Sequence, residues 1–163
     1  MSLLEMCQWI ESSPSSTGLR ESIWVFPIIE SSHVLGLAFS VGTAMWFDLR
    51  LAGLFMRRYS VSETFGYVKP WMLGGFALMV ITGIFLFWSH ALQCYGSTFF
   101  RIKLILLSLA AANIAIFHWT IDRRRTDWDK APIPPLQARF AGFASLLLWI
   151  SIVAVGRLMA YTL

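Results

Sequence analysis

Charge is scarce in this chain: Asp, Glu, Lys and Arg make up 13% of its 163 residues, against 57% that are hydrophobic. Water-soluble domains carry about twice that charged fraction, so a soluble globular protein is excluded. Cysteine is nearly absent, at two residues, which rules out a disulfide-built scaffold. The sequence contains no CxxC, no HExxH, no glycine-rich phosphate loop following a strand and no nucleophile triad, and the enzyme classes built on those motifs drop out with them. A basic N-terminal region is also missing. The first apolar run, "MSLLEMCQWI", is short and carries Glu5 with Glu11 just beyond it, so it is expected to stay on the chain and not to be cleaved as a signal peptide.

What is present is long hydrophobic runs. The stretches from Ser31 to Phe47, Pro70 to Phe100, Leu104 to Ile121 and Phe140 to Gly156 are almost free of charge, and with a few flanking residues each reaches the roughly 20 helical residues that cross a bilayer. The reading is an all-α integral membrane protein, a single membrane domain over residues 1–163. It forms a four-transmembrane-helix bundle with helices at about 24–56, 68–93, 99–121 and 137–161. Residues 1–20 form an interfacial segment, because Leu3, Leu4, Met6, Trp9 and Ile10 share one face of a short helix that precedes the turn "SSPSSTG".

Nine of the thirteen basic residues fall in two connections: Arg50, Arg57, Arg58 and Lys69 after the first helix, and Arg123, Arg124, Arg125, Lys130 and Arg139 after the third. By the positive-inside rule both connections are cytoplasmic and both termini lie outside. The net charge of +4 then reflects topology, and no nucleic-acid partner is implied. The loop "DRRRTDWDKAPIPPLQAR" reads as a Pro-punctuated connection available for docking. Asp48 and Arg50 are expected to pair at the end of the first helix. Cys7 and Cys94 both fall on the outer, oxidising side, where they either pair or stand as isolated thiols.

Ionisable side chains inside a membrane need a partner, a wet cavity or a cofactor. Counting 1.5 Å per residue, His33 lies about 25 Å from Arg50 and His90 about 31 Å from Lys69, which puts both near one outer level. Lys103 belongs to that layer, and His118 lies near the opposite surface. Gly36, Ser40 and Thr43 form a small-residue face below His33, and Gly83 lies two turns from His90. Such faces admit either a neighbouring helix or a flat ligand. A haem b fits the second reading, with His33 and His90 as axial ligands to the iron and His118 in reserve. Arg101, Lys103 and Tyr95 would face the propionates.

The segments "ESSHVLGLAFSVGTAMWFDLRLAGL", "MLGGFALMVITGIFLFWS" and "FFRIKLILLSLAAANIAIFH" resemble a family of small, uncharacterised bacterial four-helix membrane proteins. More distantly they are similar to the haem-binding bacterial membrane protoporphyrinogen oxidases and to copper-resistance D membrane domains. In those oxidases a first-helix His and a Lys opening the third helix are required, and the resemblance carries these roles to His33 and Lys103. The chain has "DLR" where the oxidase pattern has a Pro-Arg pair.

The expected function is therefore haem b binding and electron transfer near the outer face of a bacterial inner (cytoplasmic) membrane. Its partner would be a quinone or a periplasmic redox protein, and the chain could serve as a redox subunit of an oxidoreductase within an oligomer or larger complex. The alternatives are a cofactor-free subunit or anchor of a membrane complex, and a copper-handling protein using His33, His90, Cys94 and the outer Met residues.

Overall fold

The computed structural model describes residues 2–162. The side chains of Arg124, one of the basic residues counted above, and of Thr162 lie outside the described set. Four helices are long and apolar enough to cross a membrane. They are α3 (Val25–Leu51), α4 (Val61–Ser89), α6 (Thr98–Ile116) and α7 (Leu136–Thr162), joined by short helices α1 (Leu3–Glu11), α2 (Pro14–Glu21) and α5 (Ala91–Gly96). Beyond α6 the chain runs on through a π-helical turn, Phe117–Ile121, and a 3₁₀ segment, Asp122–Asp127.

Local chemistry explains where the helices begin. Ser60 opens α4 with a capping box in which its hydroxyl accepts from the Glu63 amide and the Glu63 carboxylate accepts from the Ser60 amide. The helix thus starts at Val61, seven residues before the expected position. Ser97 caps α6, and Ser2 with Glu5 boxes α1. The expected turn "SSPSSTG" is instead the start of α2: Ser13 accepts from the Ser16 amide and Pro14 occupies the first turn, where its missing N–H costs nothing. At the far end of α3, Gly53 adopts φ +74 and lets the chain leave the helix after Leu51.

The four long helices are ordered α4, α3, α7, α6. Consecutive members of that row pack together, whereas no Cα of α4 comes within 8 Å of one in α6. The closest joint is α3 against α4, where a Cβ on Gly36 would meet the Gly75 carbonyl oxygen at 3.0 Å and one on Gly75 would meet the Gly36 carbonyl oxygen at 2.8 Å. Small residues let the two backbones touch, as they do in membrane helix pairs generally. Gly142 plays the same part between α7 and α3, its would-be Cβ 2.9 Å from the Asp48 carbonyl oxygen. Val41, Ala44, Ala110, Trp149 and Ile152 form the central core, and Leu51, Val61 and Ala138 form a second cluster at the end bearing the basic loops.

At the opposite end, α1 and α2 cover the break between α4 and α5. Ser16 Oγ donates to the Trp88 carbonyl (2.9 Å), Arg20 to the Ser89 carbonyl (3.1 Å), and the Leu92 amide donates to Glu11 (2.6 Å). These bonds satisfy backbone groups that the helix ends leave open. Leu3, Leu4, Met6 and Trp9 of α1 face outward.

Candidate functional site

Beneath this cap lies a polar centre inside the bundle. His33 projects from α3 against α4, where Gly83 makes room for it: a Cβ on Gly83 would stand 3.3 Å from the imidazole Cε1. The ring Nδ1 lies 2.9 Å from Thr82 Oγ1. Thr82 directs its own hydroxyl hydrogen to the Leu78 carbonyl at 2.7 Å, so its oxygen can only accept from the ring. With Nδ1 carrying the hydrogen this contact is satisfied, and the Met79 backbone is a further hydrogen-bond partner of the imidazole. Metal-ligating histidines are held in the same way, with the second nitrogen fixed by a hydrogen bond.

Lys103 reaches the same region from α6. Its ammonium would lie 3.8 Å from a Cβ on Gly156 of α7. One turn nearer the cap on each helix, Phe87 of α4 and Phe100 of α6 stack with centroids 5.6 Å apart. Toward the basic end Met72 packs into the central core. The space between α4 and α6, spanned by side chains and not by backbone contact, is thus bounded by these aromatic and apolar groups, with His33 and Lys103 at its polar point.

His90 does not share that point. Its ring packs on Phe26 at 5.4 Å, and Phe26 precedes His33 by two helical turns, as Gly83 precedes His90. The two imidazoles are therefore offset by about 10.5 Å along the bundle. The equal-depth reading fails because it used Lys69 as a datum for the membrane surface, whereas α4 begins at Val61 and Lys69 stands two turns inside it. His90 Nδ1 bonds Ser89 Oγ at 2.8 Å. Burial, and then the nearby Arg20 charge, hold its imidazole below the ordinary range, with Glu11 acting in the opposite sense.

The remaining expected residues separate. Gly36 and Ser40 are buried in the joint with α4, where Gly75 fills the space beside them. Thr43 turns its hydroxyl to the Phe39 carbonyl of its own helix. Arg101 donates to the Tyr95 carbonyl (3.1 Å) and lies over the Tyr95 ring on the exposed surface, apart from Lys103, which two residues along a helix turns to another face. His118 is exposed at the basic end and bonds Asp122 at 3.1 Å. It is fifteen residues from Lys103 on a continuous helical path, or about 22 Å.

Asp48 and Arg50 are not paired. Two residues apart on a helix, they point in nearly opposite directions. Arg50 is fully buried and donates from Nε to the Tyr59 carbonyl (2.9 Å) and from Nη2 to the Ala131 carbonyl (3.0 Å), which ties the two basic loops together. Asp48 is 6% exposed, with Ser145 beside it and Oδ2 without a hydrogen-bond partner. Part of the loop expected to dock elsewhere is consumed internally: Asp129 accepts from the Val61 and Ser62 amides (3.0 and 2.7 Å) and so caps α4.

Cys7 and Cys94 are buried where α1 meets α5 and stand as free thiols. Among the described residues no three His, Cys, Asp or Glu side chains converge as a metal site. The sequence signal that could have located the polar centre better was the Ser60–Glu63 capping box, which fixes the register of α4.

No curated protein and no solved structure matches the chain. Residues 21–162, which include all four long helices, match one family, and the chain accordingly belongs to the Family of unknown function (DUF6644).

Proposed function

We propose that this chain is a haem b-binding membrane protein that takes part in electron transfer, with His33 as the protein ligand to the iron. The observation that carries the reading is the His33–Thr82–Leu78 hydrogen-bond chain, which fixes the orientation of an imidazole between two helices of the bundle. Lys103 is the natural partner for a propionate. No Cα of α4 comes within 8 Å of one in α6, so that side is closed by side chains, the Phe87–Phe100 stack among them, which a flat molecule would have to part. The group, when bound, supplies one-electron transfer. The chain's own residues orient the ligand nitrogen, supply one cation and shield the site with the Phe87–Phe100 pair. The distant likeness to the haem-binding oxidases agrees on His33 and Lys103.

By the positive-inside rule the basic loops lie in the cytoplasm and the cap faces outward, in a bacterial inner membrane. A quinone in the bilayer or a redox protein at the cap end would then be the electron partner. A cofactor-free packing subunit is the second reading. The Gly36–Gly75 contact favours it for the small residues, but it gives His33 and Lys103 no task.

The test is the visible spectrum of protein purified from haem-supplemented cells. One haem per chain with a five-coordinate, high-spin spectrum is expected. His33→Ala should lose the haem and Lys103→Met should retain less of it, while His90→Ala and His118→Ala keep it. Colourless protein with intact helical circular dichroism overturns the reading, and so does a haem that depends on His90 or His118.

A further inference from the structure

A second site lies at the basic end, on the lipid-facing side between the last turns of α3 and the first turns of α4. Trp46, Met56, Thr64, Tyr67 and Val68 line a cavity of about 260 Å³ there. Two of the polar groups on its lining residues are already committed. The Trp46 indole N–H donates to Met56 Sδ (2.7 Å), and the Thr64 hydroxyl donates to the Ser60 carbonyl (2.9 Å). Met56 holds this wall in a left-handed conformation, φ 50, which a non-glycine residue adopts only when its surroundings impose it. Small-molecule sites run from about 300 Å³ upward and place a few polar groups to orient their ligand. A smaller, largely apolar slot suits a length of hydrocarbon chain.

The residues that follow the lining along the chain have the opposite character. Arg57 and Arg58 follow Met56 directly, and Lys69 follows Val68. All three are exposed, and among the described residues none forms an ion pair. Arg57 Nε is held by the Gly53 carbonyl (2.6 Å), which leaves the outer nitrogens of its guanidinium clear. Lys69 lies over the Phe65 ring at 5.8 Å. Glu63, next to Thr64, has its carboxylate committed to the Ser60 amide, and Asp129 has its own on the Ser62 amide.

We propose that this slot binds one acidic phospholipid, an acyl chain against Trp46 and Tyr67 and the phosphate on Arg57, Arg58 and Lys69. Hydrocarbon joined to an anion at the depth of a helix end is the chemistry of such a lipid, and basic pockets between membrane helices recognise it. The site is independent of the haem reading.

Nanodiscs with equal parts phosphatidylglycerol and phosphatidylcholine of identical acyl chains provide the test, with the released protein weighed by native mass spectrometry. Wild type should retain one phosphatidylglycerol in preference to phosphatidylcholine. The double variant Arg58→Gln/Lys69→Gln, both at exposed positions, should lose that preference by roughly tenfold, and Val68→Trp, which fills the slot, should reduce retention of both lipids. Equal retention of the two lipids by wild type, an unchanged preference in the charge variant, unchanged retention in Val68→Trp, or a quinone retained in place of phospholipid overturns the proposal.

Discussion

Gly75 of α4 lies so close to Ser40 of α3 that a Cβ built on it would stand 2.5 Å from the Ser40 amide nitrogen. Backbone, not a movable side chain, occupies that space, so the helices must part to admit even a methyl group. Gly75→Ala should cost about 1–3 kcal/mol through overpacking. Gly74→Ala, next in sequence but facing open space, should be neutral or stabilise by up to about 1 kcal/mol. Unfolding of the two variants in mild detergent, followed by helical circular dichroism, checks the contrast. Equal effects would mean that the α3–α4 joint is not as tight as its geometry.

The same reasoning applies at Arg50, where the constraint is polar. Its guanidinium closes the basic end by donating to carbonyls in two different loops, Tyr59 and Ala131. Arg50→Met keeps the bulk but leaves both acceptors without a partner, and a loss of roughly 2–4 kcal/mol is expected. Arg50→Lys keeps the charge but not the fork and should recover about half of that loss. Limited proteolysis should find the chain cut near Arg58 and Lys130 sooner in Arg50→Met than in wild type. Equal rates of cutting would show that the loops hold without the arginine.

Much of this architecture was readable as sequence, and what escaped did so for definable reasons. Four uncharged runs give four spanning helices because the bilayer demands continuous apolar length, and the cost of ionisable groups in such helices drew attention to His33 and Lys103 together with His90 and Arg101. Depth was misread, since hydropathy does not mark where a polar helix end extends beyond the apolar run. The "SVSE" box at Ser60 to Glu63 carries that information and places Lys69 inside α4. The small residues are ambiguous in principle: Gly36 and Ser40 would look the same beside a macrocycle or beside Gly75. That Asp48 and Arg50 diverge followed from their spacing, whereas the carbonyls that Arg50 reaches lie in loops whose approach only the fold specifies.

The cap makes a prediction about thiol chemistry. Burial, opposed by the Lys103 charge, pushes the Cys94 thiol up to about 11. At about pH 8 only about one molecule in a thousand would then carry the reactive thiolate. Iodoacetamide should modify Cys94 very slowly in folded protein, and deletion of residues 2–21, which removes the covering helices, should raise the rate by at least tenfold. Rapid alkylation of the intact chain would contradict the buried α1–α5 contact. Recovery of a Cys7–Cys94 linked peptide under non-reducing conditions would instead mean that the two thiols oxidise where they meet.

His90 links the cap to pH. The imidazole sits at the junction of α4 and α5 against Phe26, and its pKa is lowered first by burial and then by Arg20. A group whose pKa falls on folding favours the native state in its neutral form. Its contribution is complete above the ordinary imidazole value of about 6.5 and is lost as the pH falls below it. Acidification from about pH 7.5 to about pH 5.5 should therefore loosen the cap. Hydrogen exchange should quicken at the Leu92 amide, which donates to Glu11, while the central turns of α3 and α4 stay protected. In His90→Gln, which cannot take up the proton, exchange at Leu92 should vary much less over the same range. If the variant keeps the wild-type pH dependence, the acid-sensitive group is not the imidazole; if acid tightens the cap in wild type, the sign of the linkage is wrong and His90 is stabilised as the cation by a neighbour.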